Sequence, residues 1–75
     1  MPMQISYNRL WKLLIDKEMK KSALREKTGM SSSTMAKLSK NQEVTMAVLM
    51  RICETLDCNI EDIVEFKKDK EKENV

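Results

Sequence analysis

The chain contains a single glycine, Gly29, which stands between two segments that both have the apolar spacing of an amphipathic helix. One proline, Pro2, accompanies it, so the 75 residues hold few of the residue types that tight turns between strands require. Glycine adopts a positive φ without steric cost, and this conformation commonly ends a helix. The sequence therefore predicts an all-α fold in which Gly29 ends one helix and a short turn leads into the next.

Two short helices are predicted on either side of this glycine, over residues 21–28 and 32–40. Ser31 is the expected N-cap of the later helix, because serine accepts a hydrogen bond from a free N–H of the first turn. The buried positions of the region are expected to be Leu24, Thr28, Met30, Met35 and Leu38. Two short helices joined by a turn of three or four residues that contains glycine are typical of a helix-turn-helix.

Three further helices complete the predicted fold. The first begins at Tyr7, with Ser6 as its N-cap, and ends between Asp16 and Glu18. The fourth spans residues 46–56, and the fifth is a short helix capped by Asn59. The residues expected to flank the fourth helix are Thr45, as N-cap, and Asp57, which closes it.

Charge is divided unevenly along the chain. Residues 1–40 hold nine Lys or Arg and three acids, whereas residues 41–75 hold five basic and nine acidic residues. A positive excess in the first half indicates an anionic partner on that side of the molecule. Residues 1–66 are expected to form one domain, and residues 67–75, which are nearly all charged, a disordered C-terminal tail.

Other classes of function are disfavoured by the residues that are missing. The sequence has no histidine and only two cysteines, Cys53 and Cys58, so it offers neither a zinc site nor a nucleophile with its base. We therefore expect no metal, no cofactor, no small-molecule ligand and no enzymatic activity. No run of about 18 apolar residues and no secretory signal is present, so we expect a cytoplasmic protein with reduced cysteines and no membrane contact.

The outward face of the predicted third helix has short side chains at its start, basic side chains at its end and no acidic residue. Its members are Ser32, Ser33, Ala36, Lys37 and Lys40. One α-helix fits the major groove of B-form DNA, where base edges carry a readable pattern of donors and acceptors. Lys37 can reach a guanine edge, and Lys40 can reach a phosphate. This face predicts binding of double-stranded DNA.

The span from Leu10 to Val64 resembles a Cro/C1-type helix-turn-helix domain, found in the Xre group of bacterial and phage repressors. The later stretch VTMAVLMRICETLDCNIEDIV resembles the fourth and fifth helices of that family. The matching positions in KSALREKTGMSSSTMAKLSKN are Leu24, Gly29, Met30, Ser31, Met35 and Leu38. The resemblance implies a compact five-helix, lambda-repressor-like fold that binds operator DNA, usually as a homodimer on a palindrome. In length and layout the chain also resembles the small VanU-type regulators of vancomycin-resistance operons.

The resemblance also implies which residues contact DNA. Base contacts fall on the first, second and sixth residues of the third helix, here Ser32, Ser33 and Lys37. Phosphate contacts fall at the start of the second helix and just after the third, here Lys20, Lys21, Lys40, Asn41 and Gln42. The structural turn is formed by Gly29 and Ser31. The sequence departs from the family at Arg25, where alanine normally allows close helix packing. The Arg25 stem either lies along the groove between the helices or widens their crossing.

A second class of function is a protein-interaction module, since some helix-turn-helix domains serve as adaptors or antitoxins without DNA readout. Its surface would be Met46, Val48 and Met50, which lie off the inner stripe of the fourth helix and could equally join two copies of the chain. Three aromatic residues either close the core or face a partner, namely Tyr7, Trp11 and Phe66.

Overall fold

The computed structural model describes residues 3–68, which form four α-helices, one 3-10 turn and a two-stranded antiparallel sheet. The helices are Asn8–Asp16 (α1), Lys21–Thr28 (α2), Ser32–Ser39 (α3) and Met46–Leu56 (α4). The strands are Met3–Ser6 (β1) and Glu65–Lys68 (β2), and the 3-10 turn is Ile60–Asp62. No helix in this part of the chain is long and apolar enough to cross a membrane.

The predicted count of five helices is wrong, because the segment expected to form the fifth is only the 3-10 turn Ile60–Asp62. Asn59 caps this turn as expected. The N–H of Asp62 donates to the carbonyl of Asn59 at 2.9 Å, while the backbone N–H of Asn59 donates to a carboxylate oxygen of Asp62 at 3.0 Å. Within three residues the chain enters β2, whose backbone pairs with β1 instead of continuing as a helix.

The strand pair is the other feature that departs from the all-α expectation. Ile5 stands opposite Phe66, and Ser6 stands opposite Glu65. The strands come from the two ends of the described chain, so no tight turn joins them and few glycines are needed. β2 runs to Lys68, two residues past the predicted domain boundary at residue 66. The rest of the predicted tail, residues 69–75, lies outside the described residues.

The helices around the glycine follow the predicted pattern. Both α2 and α4 have their predicted bounds, and α3 ends one residue earlier than predicted. Gly29 has a φ of 73°, and its N–H donates to the carbonyl of Arg25 at 2.9 Å. Ser31 Oγ accepts a hydrogen bond from the N–H of Thr34 at 3.2 Å. The chain therefore turns between α2 and α3 through a left-handed glycine and a serine cap.

The first and fourth helices differ in how they begin. α1 begins at Asn8, with Tyr7 and not Ser6 at the N-cap, because Ser6 ends β1. Ser6 Oγ nevertheless accepts a hydrogen bond from the N–H of Asn8 at 3.3 Å. α4 begins as predicted, with Thr45 accepting a hydrogen bond from Val48, and it is closed by Asp57 at a φ of 55°.

A single apolar core lies between the helices and the 3-10 turn. Its members are Tyr7, Leu10, Leu14, Leu24, Met30, Leu38, Leu49, Ile52, Leu56 and Ile63. α3 contributes one fully buried residue to it, Leu38, and packs against it more loosely through Met35. Because only this side of α3 is covered, the opposite side faces outward.

Candidate nucleic-acid interface

The outward side of α3 is exposed over its whole length. All five residues of the predicted face are exposed in the structure: Ser32, Ser33, Ala36, Lys37 and Lys40. The first turn of α3 holds no acidic residue, and Lys37 lies in its last turn. The face is therefore accessible to a large anionic partner, with backbone N–H groups at one end and lysines at the other.

A group of hydroxyls surrounds the start of α3. Ser31 Oγ lies 3.0 Å from Ser33 Oγ and 3.0 Å from Thr34 Oγ1. These contacts fix the directions of three side chains next to the N-terminus of the helix. No side chain here is longer than threonine, so a flat or grooved partner can approach the backbone closely.

The start of α2 provides a second positive end. Lys20 is its N-cap in an extended conformation and makes no side-chain capping hydrogen bond. The first turn also lacks an acidic residue, so its free N–H groups are not neutralised locally. With the exposed side chains of Lys20 and Lys21 added, this end suits a phosphate group.

Lys21 is held against an aromatic ring. Its ammonium nitrogen lies over Trp11, 4.2 Å from the ring centroid, which is within the range of a cation–π interaction. Trp11 is half-buried on α1 and packs against the core. One of the predicted phosphate-contacting lysines thus has a defined position in the free protein.

The loop after α3 is folded back onto that helix. The N–H of Lys40 donates to the carbonyls of Ala36 and Lys37, both at 3.1 Å, and the N–H of Gln42 donates to Lys37 at 2.8 Å. Asn41 has a positive φ of 57°, a conformation that asparagine tolerates better than most residues. The loop is therefore a compact continuation of α3.

Tyr7 fastens the same loop to α1. Its backbone N–H donates to Asn41 Oδ1 at 3.2 Å, and its hydroxyl donates to the carbonyl of Gln42 at 2.7 Å. Burial raises the pKa of the Tyr7 hydroxyl, and the charge of Glu43 raises it further. The hydroxyl therefore stays protonated at neutral pH and remains a donor to the loop.

One acid lies beside the interface. Glu43 is exposed, follows the loop directly, and lines a groove between α3 and α4 together with Lys37. Its charge opposes that of the lysines. The predicted face of α3 holds no acid, but the segment that follows the loop does.

The structure settles three positions that the sequence left open. Tyr7 belongs to the core, Trp11 supports Lys21, and Phe66 is exposed on β2. Arg25 is half-buried, as expected if its stem lies along the helix pair. One feature of the sequence indicates that Tyr7 and Trp11 act together. They are four residues apart, at the N-cap and in the first half of α1, a spacing at which side chains are neighbours on a helix.

An apolar surface lies on α4 and the 3-10 turn. Met46 and Met50 are each 61% exposed, and Ile60 is 41% exposed. With Leu49 and Cys53 they line one groove. Val48, which the sequence grouped with the two methionines, is half-buried and lines the groove between α3 and α4 instead.

Comparison with known proteins identifies the family of this fold. Residues 9–69 match the family described as the Cro/C1-type HTH DNA-binding domain. Among solved structures, the chain is similar to the crystal structure of the transcriptional regulator VanUg, Form II. The two are 54% identical over 92% of each chain, with a TM-score of 0.89. No curated protein matches the chain significantly. The resemblance predicted from the sequence is confirmed at both levels.

Proposed function

The chain belongs to the Cro/C1-type helix-turn-helix family and is a DNA-binding transcriptional regulator, and we propose that it binds an operator by placing α3 in the major groove. The observation that carries this proposal is the exposed, acid-free side of α3, with basic segments before and after it. In the cytoplasm it would act most simply by occupying the operator, as a repressor of its own or a neighbouring operon.

Base readout is assigned to Ser32, Ser33 and Lys37. The two serines lie at the exposed start of α3, where short side chains let the backbone approach the floor of the groove. Lys37 lies five residues after Ser32, in the last turn, and can donate to the O6 and N7 atoms of guanine. A single copy of this surface reads only a few base pairs.

Phosphate contacts are assigned to two segments. Lys20 and Lys21 act at the start of α2 together with its free N–H groups. The second segment is Lys40, Asn41 and Gln42. Asn41 accepts from Tyr7 through its side-chain oxygen, so its NH₂ group remains available to donate to a phosphate. These contacts supply affinity that depends on salt and little on sequence.

We infer that two copies bind a palindromic operator. A homodimer doubles the reading surface and spaces its two α3 helices about 34 Å apart, one turn of DNA. The exposed pair Met46 and Met50 supports an apolar contact between copies, since large apolar side chains on a surface often mark an interface.

A protein-interaction module is the second candidate function, and the exposure of Met46 and Met50 favours it as well. The groove lined by Met46, Met50 and Ile60 could bind a different protein, with α3 making no specific DNA contact. The two candidates differ in their dependence on Lys37, which lies outside this groove.

Fluorescence anisotropy with labelled duplexes tests the proposal. A regulator binds generic duplex DNA with an affinity that falls as salt rises, and footprinting upstream of its own gene locates the operator. Lys37→Glu should abolish operator protection. The matched control is Lys12→Glu, since Lys12 lines a separate groove among Asp16 and Glu61 and should leave the footprint intact. An adaptor would show no salt-dependent binding, and its activity would survive Lys37→Glu.

A further inference from the structure

We propose that Trp11 is a positioning residue for DNA binding, holding the Lys21 ammonium where the backbone phosphate will lie. The proposal rests on the assignment of the α2 start as a phosphate site. It goes beyond that assignment by giving the half-buried ring of α1 a defined part in binding. No base or phosphate contact is assigned to Trp11 itself.

The ring is a firm support because the core holds it. Trp11 lies within α1, its backbone N–H donates to the carbonyl of Tyr7 at 3.2 Å, and its side chain packs against the core. α2 begins after a short turn in which Glu18 has a φ of 55°. This turn brings Lys21, the first residue of α2, over the ring face.

The contact leaves the ammonium available to DNA. A lysine ammonium has three N–H donors, and the ring covers only the side that faces it. The Lys21 side chain as a whole is exposed, so its outer donors face solvent beside the free N–H groups of α2. The ring face and a phosphate can therefore act on opposite sides of one cation.

The benefit to binding is a smaller loss of side-chain freedom. A free lysine samples many rotamers, and fixing it on a phosphate has an entropic cost. On Trp11 the side chain is already confined before DNA arrives. Lys20, the neighbouring N-cap lysine, is exposed and provides an internal comparison.

α1 and its N-cap residue contact both segments to which phosphate contacts are assigned. Tyr7 and Trp11 are four residues apart and share one face of the helix. Tyr7 holds Asn41 and Gln42 after α3, while Trp11 holds Lys21 at the start of α2. Four residues, about 6 Å of helical rise, thus separate the two supports along the chain.

A double-mutant cycle tests the proposal, using anisotropy with a generic duplex at fixed low salt. The variants are Trp11→Leu, Lys21→Met and their combination. We expect Trp11→Leu to weaken binding about threefold in the wild-type background, which is within the cost of immobilising one rotamer-rich side chain. In the Lys21→Met background the same change should have no further effect, because the cation it positions is gone. Trp11→Phe, which keeps an aromatic face, should recover part of the loss.

The outcomes separate this proposal from the one on which it rests. Equal losses in both backgrounds would mean that Trp11 acts only through general stability, and would overturn the positioning role while DNA binding stands. No loss in either background would overturn it as well. If the wild-type protein binds no duplex at all, the proposed function fails first and the positioning role fails with it.

A spectroscopic measurement on the free protein checks the contact itself. Trp11 is the only tryptophan, so its emission reports on this site alone. Lys21→Met should shift the emission, and adding duplex to the wild-type protein should shift it again as phosphate joins the cation. Lys20→Met should leave the emission of the free protein unchanged. Identical spectra for wild type and Lys21→Met would overturn the proposal, and matched thermal unfolding curves would show that each variant is folded.

Discussion

The hydroxyl of Tyr7 donates a 2.7 Å hydrogen bond to the main-chain carbonyl of Gln42, and so joins the start of α1 to the loop that follows α3. Tyr7 is only 1% exposed, so its hydroxyl needs a partner within the protein. The backbone N–H of the same residue donates to Asn41. One core residue therefore fixes two consecutive residues of the proposed DNA interface.

Removing this hydroxyl should affect both stability and binding. We expect Tyr7→Phe to lower the free energy of unfolding by about 1 kcal/mol, because the Gln42 carbonyl loses its donor. Affinity should fall by a similar factor for cognate and generic duplexes, since we assign the loop to phosphate contacts and not to base contacts. Urea denaturation and anisotropy measure the two effects.

Phe66→Leu changes an exposed aromatic residue and is the control. Unchanged stability in Tyr7→Phe would show that the bond is replaced by solvent at no cost.

Lys37 and Lys40 should differ in what they contribute. Lys37→Ala should weaken binding to the operator about tenfold and leave generic binding nearly unchanged, because it removes the proposed base contact. Lys40→Ala should weaken binding to both and lower the slope of log affinity against log salt by about one unit. Anisotropy at several salt concentrations separates the two. Equal loss of operator and generic affinity in Lys37→Ala would refute the base-reading role.

Glu43 should oppose DNA binding. It follows the loop proposed to contact phosphates and lines a groove with Lys37, so we expect its charge to repel phosphates and to offset part of the lysine charge. We expect Glu43→Gln to tighten generic binding a few-fold at low salt, with the gain shrinking as salt rises. Glu54→Gln, on the apolar groove of α4, is the matched control and should bind like wild type. A gain that persists undiminished at high salt would point to a cause other than charge.

The parts of the fold that could be predicted are those with local causes. Gly29, the Ser31 cap and the Thr45 cap act within a few residues, and the helices next to them have the predicted starts. The strand pair was missed because β1 and β2 are four residues each and find their hydrogen-bond partners at opposite ends of the chain. Sequence periodicity does not detect such a pairing, and the apolar spacing after Asn59 alone predicts a short helix there.

The candidate site likewise has parts that local sequence predicts and parts that depend on distant residues. The exposed side of α3 follows from helical spacing around Leu38, which has to be buried. The contacts that Tyr7 and Trp11 make behind the site cannot be predicted from the sequence, because an aromatic pair at these positions fits a core as well as a partner surface. The contacts of Tyr7 with Gln42 and of Trp11 with Lys21 decide between these two roles. The chain reaches both contact residues through turns with a positive φ, and helical spacing does not predict such turns.

Backbone conformation gives a pair of opposite expectations for stability. Gly29 has a φ of 73° and no atom within 4 Å of an added Cβ, so Gly29→Ala introduces backbone strain without a clash. We expect a loss of about 1 kcal/mol, and a smaller loss for Gly29→Asn. Glu18 is exposed at a φ of 55°, so Glu18→Gly should gain up to about 1 kcal/mol. Urea denaturation measures all three. A stability order with alanine above asparagine at position 29 would contradict the conformational explanation.

The free energy of unfolding should fall at alkaline pH because the Cys58 thiol ionises. Burial raises the pKa of its thiol from 9.0 to about 11, and the neighbouring Cys53 adds to the shift. The folded protein thus keeps this proton to a higher pH than the unfolded chain does. As pH rises above about 9 the unfolded state loses the proton first, so the free energy of unfolding falls until the folded thiol also ionises. We expect Cys58→Ala to lose less stability than wild type between about pH 8 and pH 10, measured by urea denaturation in reducing buffer. The Tyr7 hydroxyl, whose pKa is also raised, is present in both proteins and does not distinguish them. Equal losses for the two proteins would place the alkaline sensitivity elsewhere in the chain.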